Sequence, residues 1–215
     1  MCGRYLTPEE ADLERAWELT LPPDYRQSFN LAPSQQAPVV RIDRAGETEL
    51  GLLVWGFRPR WAKRAWINAR SETVFDSRAF ERAARRHRCL VPALGWYEWQ
   101  GEKAPKQPWL FHLDGFRPFA FAGIWTPGGP ELPHSFAILT TQAAPALAGI
   151  HDRMPVVVDA TDYARWLAPD CGEDETQAIL GRNRSDMAIY KVSPYVNKPE
   201  HDDAACIRPL ELATR

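Results

Sequence analysis

The chain has 215 residues, a formal net charge of −2, 45% hydrophobic and 25% charged residues, and nine tryptophans. This is a globular composition, too balanced for a disordered tail or a strongly basic coat for bulk nucleic acid, so any nucleic-acid contact has to come from a local patch. One domain spanning 1–215 is the expectation for this size.

In chain order, residues 8–20 predict a helix, with acidic residues in its first turn, Thr7 as N-cap and Pro22–Pro23 beyond its end. Residues 38–43 and 49–55 predict strands, joined by a hairpin turn at Ala45–Gly46. The stretch 56–66 reads as a loop carrying Arg58, Arg60, Lys63 and Arg64 among Trp61 and Trp66. Residues 76–87 predict a strongly basic helix, and 88–99 a strand, a bend and a second strand. Further strands are expected at 108–113, 117–124 and 135–141, then a short Ala-rich helix at 142–149. A strand at Pro155–Asp159, helices at 161–168 and 173–181, and short extended pieces at AIYKVS and CIRPLEL complete the chain. Strands and helices do not alternate regularly. The fold class that fits is α+β, a curved, mostly antiparallel sheet flanked by short helices.

The four cysteines, at 2, 89, 171 and 206, form no CxxC pair, which argues against a zinc ribbon or a redox dithiol. Cys89 reads as core, and Cys171 and Cys206 carry no assigned role. Met1 is followed by CGRYLTPEE, with no apolar leader, and no apolar run reaches membrane length. A cytosolic chain with reduced thiols, no membrane and no lipid anchor is expected.

Cys2 stands out by position. Initiator Met is generally removed ahead of a small residue, which leaves Cys first, with an amine and a thiol on adjacent carbons. Their ordinary pKa values, about 8 and 8.5, give both a nucleophilic form near neutrality. Amine attack on an aldehyde gives an imine, and the thiol then closes a five-membered thiazolidine with the advantage of proximity. Gly3 lets backbone approach a substrate, and Arg4 places a guanidinium beside the nucleophile.

Three other segments carry polar groups suited to a site, each with an ordinary structural reading beside it. Asn68 and Arg70, in NARSET, follow the Trp-rich basic loop and suit a site wall; the alternative is an N-cap and turn before the basic helix. Glu98 lies in GWYEW, where strand alternation puts Trp96 and Glu98 on one face. Buried among aromatics it becomes a general acid for neutral pH; facing water it is inert. His151 and Arg153 sit at a strand entrance, placed for a proton shuttle and a phosphate contact, or as surface decoration. The remaining histidines lack metal-ligand spacing, and the sequence contains neither a Gly-rich phosphate loop nor a GxSxG elbow.

Taken together, MCGRY at 1–5, FNLAPSQ at 29–35, WGFRPRWAK at 55–63, NARSET at 68–73, RCLVPALGWYEW at 88–99, TTQA at 140–143, HDRMPV at 151–156 and VSPYVN at 192–197 resemble the SRAP family, the SOS response-associated peptidases. The segments follow family order over nearly the whole chain. The resemblance implies a protein that binds single-stranded DNA, especially near single-strand/double-strand junctions, and crosslinks to abasic sites without metal or organic cofactor. It implies that Cys2 is the crosslinking residue and that Glu98 assists opening of the deoxyribose ring. Asn68 would position the amine and substrate, and His151 would handle protons on the sugar oxygen and imine. It places Arg4, Asn30, Pro33, Trp61, Arg70, Arg78, Thr140 and Arg153 along the DNA path, and implies a monomer in the bacterial cytosol. Two positions depart from the family pattern. Arg60 stands where serine or an aromatic is common, which puts an aromatic wedge pair in doubt, and Trp96 stands where phenylalanine is common. An N-terminal-cysteine amidohydrolase or autopeptidase, and a non-covalent reader of modified or damaged DNA, remain the alternatives.

Overall fold

The computed structural model describes residues 2–43, 45–103, 105–182, 184 and 186–210. In chain order the elements are β1 (Tyr5–Leu6), α1 (Glu10–Trp17), β2 (Gln36–Ile42), β3 (Thr48–Trp55), β4 (Asn68–Arg70), α2 (Glu81–Arg86), β5 (Arg88–Ala93), β6 (Gly95–Gln100), β7 (Gln107–His112), β8 (Phe119–Thr126), β9 (Ser135–Gln142), β10 (Arg153–Pro155), β11 (Val157–Val158), α3 (Tyr163–Leu167), α4 (Glu173–Leu180) and β12 (Ala188–Lys191). The α+β expectation holds: pairings are mostly antiparallel, with β9 parallel to β3 and β4.

Two sheets result. The larger runs β10-β9-β3-β2-β5-β8-β11, and a further β8–β9 pairing joins its arms. Strands β9, β3, β2, β5 and β8 thereby form a closed ring, and closure leaves them no bare edge on which other chains can pair. The smaller sheet runs β1-β6-β7-β12.

Alternation along the ring strands sorts side chains into two cores. Val39, Trp55, Val91, Phe121, Phe136 and Ile138 share a cluster with Cys2, Tyr5, Trp96 and Phe111, so the smaller sheet and the first residues pack against one set of ring side chains. Val40, Leu90, Ala122, Ala137 and Leu139 belong to the other cluster, with Leu13 of α1, Ala83 and Ala84 of α2, Trp166 of α3 and Ile179 of α4. Both faces of β6 are buried at Trp96 and Tyr97, because Tyr97 packs into a third cluster with Leu6, Leu110 and Val196. At the start of β6 a Cβ on Gly95 would stand 2.5 Å from the Phe111 carbonyl oxygen, so only glycine fits that crossing.

Several expectations need correction. Helix α1 is shorter than 8–20: Glu18 turns left-handed at φ 54° and ends it. Thr7 does not cap it, because the Thr7 hydroxyl accepts the Ser28 amide at 2.7 Å. The basic helix keeps only Glu81–Arg86 of the expected 76–87. Residues 76–80 are turns that deliver the Phe80 ring onto Phe57 and Trp66 at 5.4 and 5.7 Å, so packing overrides helix propensity there. The Ala-rich stretch 142–149 is not a helix but a series of turns, with Pro145 and Gly149 breaking its pattern. Its Ala143 amide donates to the Asp152 carbonyl oxygen at 2.9 Å, which folds the loop back and sets His151 in place. Cys206 lies in a 3-10 turn, Ala204–Ile207, not in an extended piece; Glu211 and Leu212 of that stretch lie outside the described residues. The hairpin turn at Ala45–Gly46 is present, with Gly46 at φ +90° and the Asp43 carboxylate accepting the Ala45 and Glu47 amides. Among the described residues no helix is long and apolar enough to cross a membrane.

Candidate functional site

Cys2 precedes β1, which pairs with β6 in the register Tyr5↔Trp96. The pairing lays the chain start along the strand that carries Glu98. The Cys2 side chain is fully buried, and its carbonyl oxygen accepts a hydrogen bond from Asn68 Nδ2 at 2.8 Å. Asn68 opens β4, whose parallel register with β9 sets it beside Ile138. The segment is a short strand followed by a 3-10 turn at Ser71–Thr73, so the turn of the alternative reading is present as well, without a side-chain cap. Among the described residues, Asn68 Oδ1 is buried without a hydrogen-bond partner, as are the Tyr5 hydroxyl and Trp96 Nε1 in the Cys2 cluster. Buried polar atoms are seldom left unsatisfied, so those gathered around Cys2 are candidate contacts for a ligand.

Glu98 is 3% exposed, which rules out the water-facing reading. Burial pushes its carboxyl up to about 7, against a smaller downward pull from the positive charge of the chain's amino terminus. Burial also holds the Cys2 thiol well above its ordinary value, and the Glu98 charge pushes it further in that direction. A carboxyl that titrates near neutrality can both give and take a proton at working pH.

His151 follows the 142–149 loop, which is tied to the end of β6 by Gln100 Nε2 donating to the Gly149 carbonyl at 2.8 Å. Its Nδ1 accepts the Arg153 amide at 3.0 Å and also stands 2.8 Å from Asp152 Oδ1. Burial lowers its pKa first, and the amino-terminal charge adds to this, while Asp152 opposes it. That direction favours the neutral ring, with one of its two nitrogens unprotonated.

Beside His151 opens a cleft of about 810 Å³ lined by Arg70, Glu72, Thr73, Gln142 and Arg153. Arg70 is exposed there. Arg153 is engaged: Nη1 and Nη2 donate to Glu72 at 2.6 and 2.8 Å, and Nη2 reaches the Thr140 carbonyl at 2.5 Å. The Arg153 guanidinium in turn holds the Glu72 carboxyl below its usual range. Glu72 was missed in reading the sequence, although it lies within NARSET; nothing in its spacing announces a partner 81 residues away.

Arg4 sits on the far side of the chain start. Its Nη1 donates to Asn30 Oδ1 at 2.8 Å and to the Val196 carbonyl at 3.2 Å, and its guanidinium lies 5.9 Å from the Trp99 ring centroid. Asn30 is itself buried, its Nδ2 donating to the carbonyls of Val196, Lys198 and His201. Asn30 and Thr140 therefore reach a ligand only through Arg4 and Arg153. Pro33 is half-buried, and Arg78 is exposed. Trp61 is 63% exposed and stands 6.0 Å from Trp66, centroid to centroid. Arg60 bends away from it to the Gly128 carbonyl, so the aromatic beside Trp61 is Trp66. Trp96 stacks on Phe111 at 4.9 Å and is core. Cys2, Asn68, Glu98 and His151 thus converge, with Arg70 and Arg153 next to them, while Trp61 and Arg78 line a separate cleft. Among the described residues no three His, Cys, Asp or Glu side chains gather as a metal would need.

The sequence profile described as SOS response associated peptidase (SRAP) matches residues 1–199. The chain belongs to the SRAP family. Among SRAP relatives, the Bacillus subtilis "Abasic site processing protein YoqW" is 34% identical over 223 residues, 96% of this chain and 99% of its own. The rat "Abasic site processing protein HMCES" is 27% identical, covering 100% of this chain and 78% of its own. A crystal structure from Bacteroides thetaiotaomicron superposes with a TM-score of 0.83 at 20% identity, over 98% of this chain and 100% of that one, which establishes the shared fold.

Proposed function

We propose that this SRAP protein senses abasic sites in single-stranded DNA and shields them as a covalent thiazolidine crosslink to Cys2. The observation that carries the reading is the pairing of a buried Cys2, held through its own carbonyl by Asn68, with a Glu98 carboxyl raised to about 7. The relatives' printed names, abasic site processing proteins, agree with it.

The chemistry starts after removal of Met1. An abasic sugar rests as a closed hemiacetal. Glu98, protonated, gives its proton to the ring oxygen while neutral His151 takes the hydroxyl proton at C1′, and the aldehyde is released. The Cys2 amine adds to that carbon. His151 returns its proton to the departing hydroxyl, which leaves as water, and an iminium remains. The Cys2 thiol passes its proton to the Glu98 carboxylate and its sulfur closes the ring. Both catalytic groups end as they began, and the strand-cleaving elimination open to an imine is blocked. The raised thiol pKa fits this order, with the amine first and the thiol activated only by an adjacent base. The unpartnered Asn68 Oδ1 is suited to orient the amine that Met1 removal creates.

Phosphates flanking the lesion would be taken by Arg70 and Arg153, with Arg4 and Pro33 shaping the walls and Asn30 and Thr140 holding Arg4 and Arg153 from behind. The exposed Trp61 beside Arg78 suits the step where paired bases end, so a junction is the favoured substrate. We place the protein as a monomer in the bacterial cytosol. The test is a denaturing gel of protein mixed with an abasic single-stranded oligonucleotide. A denaturant-stable shift that Cys2→Ala abolishes, with reversible affinity retained, is expected. Peptide turnover without any shift would support the hydrolase, and binding without any adduct a non-covalent reader; either overturns the reading.

A further inference from the structure

The basic helix expected from the sequence has no part in the chemistry above. Arg78, Arg82 and Arg86 recur every fourth residue, a spacing that stacks side chains about 6 Å apart wherever the backbone is helical. Arg78 and Arg82 line a cleft of about 510 Å³ next to Trp61. Arg82 and Arg86 line a second cleft of about 650 Å³, and the two clefts share Arg82, His87 and Pro127. They form one groove leading away from Trp61.

The far wall of that groove is Arg41. Its Nε donates to Glu49 at 2.6 Å, its Nη1 stands 3.2 Å from His134 Nδ1, and its guanidinium lies over Trp125, 4.0 Å from the ring centroid. This guanidinium is held in place before any ligand arrives. Arg82 and Arg86 make no ion pair among the described residues, whereas Arg85, on another face of α2, pairs with Glu173. The carboxylates of the groove are Glu49, committed to Arg41, Asp43, committed to its own turn, and Glu81. The concentration of positive charge is felt at His87, whose pKa is lowered by burial and then by Arg82, Arg41 and Arg86.

We propose that this groove is a second DNA subsite, in which Arg82 and Arg86, facing the fixed Arg41, grip the phosphodiester backbone of an arm flanking the lesion. His134, immediately before β9, and Thr140 within it stand six residues apart along the chain. At about 3.3 Å per residue the far cleft lies roughly 20 Å from the lesion site. One strand advances about 3.4 Å per phosphate in a duplex, so the grip falls about six nucleotides from the abasic site. The proposal rests on the DNA reading above and adds a length dependence to it.

The test compares wild type with the double variant Arg82→Glu/Arg86→Glu. Abasic oligonucleotides carry arms of two or ten nucleotides on either side of the lesion, single-stranded or paired. The expected result is at least about tenfold weaker reversible binding of one long-armed probe, with a salt slope shallower by about 1.5, as two lost phosphate contacts imply. Binding and adduct yield on the two-nucleotide probe should be unchanged, which also reports that the variant is folded. Equal affinity of variant and wild type for every long arm would overturn the subsite, and so would an equal loss on short and long probes. Failure of wild type to form any adduct would refute the crosslinking chemistry alone, since the arm-length comparison is read from reversible affinity.

Discussion

Glu98→Gln is expected to stabilise the protein while slowing its chemistry, and the size of the stabilisation follows from burial. Moving the carboxyl from its ordinary 4.5 to about 7 disfavours the charged form in the folded state. At about 1.4 kcal/mol per tenfold, the full effect is about 3 kcal/mol. The sign follows from where protons bind. A raised folded pKa contributes stability that is fully present below 4.5 and is lost as pH rises through about 7. Between pH 5 and pH 8 the wild type should therefore lose about 2 to 3 kcal/mol through this one group. The amide that replaces the carboxyl has no proton to lose, so the variant should not show that decline. Urea unfolding at both pH values measures it directly. In a thermal melt the variant's advantage at pH 8 over pH 5 should grow by roughly 5–10 °C for a chain of this size. Wild type and variant curves that run parallel from pH 5 to pH 8 would refute the claim that Glu98 titrates buried. A stabilised variant that crosslinks at the full rate would keep the burial argument and remove the acid role.

Other consequences are open to measurement. Asn68→Ala removes the amide that fixes the Cys2 carbonyl, and single-turnover kinetics should show slower adduct formation with reversible DNA affinity little changed. Glu72→Gln removes the carboxylate that occupies Arg153, and a titration with abasic single strand should give tighter binding, by a few-fold, with a steeper salt dependence. Asn30→Ala strips a buried side chain from three carbonyl oxygens and should cost about 2 kcal/mol or more in urea unfolding.

The residues proposed to carry the chemistry were easier to read than their supports. Cys2 is conspicuous by position alone. Glu98 is betrayed by period-2 alternation, which puts it on the face of Trp96, and both indeed lie on the Cys2 side of β6. Its burial was not legible, because the groups around it on that face, Cys2 and Asp152 among them, come from distant segments. Strand β1 is two residues long, too short for any periodicity, yet its pairing lays the chain start along the strand that carries Glu98. The charge on Arg4 read as a phosphate ligand, but its buried partner Asn30 and the carbonyls of 196–201 became visible only with the fold. The Ala-rich stretch 142–149 has high helix propensity, and the return of its chain to β9 and β10 overrides it. Glu72 and the groove around Arg41 join residues far apart in sequence, where composition is silent.

Intact-mass analysis of the protein incubated with an abasic oligonucleotide bears most directly on the covalent chemistry. The account predicts a species equal to the protein lacking Met1 plus the oligonucleotide less one water, with the modification on Cys2. A preparation whose first residue is Cys2, bound to the lesion yet yielding only the two separate masses, would contradict it.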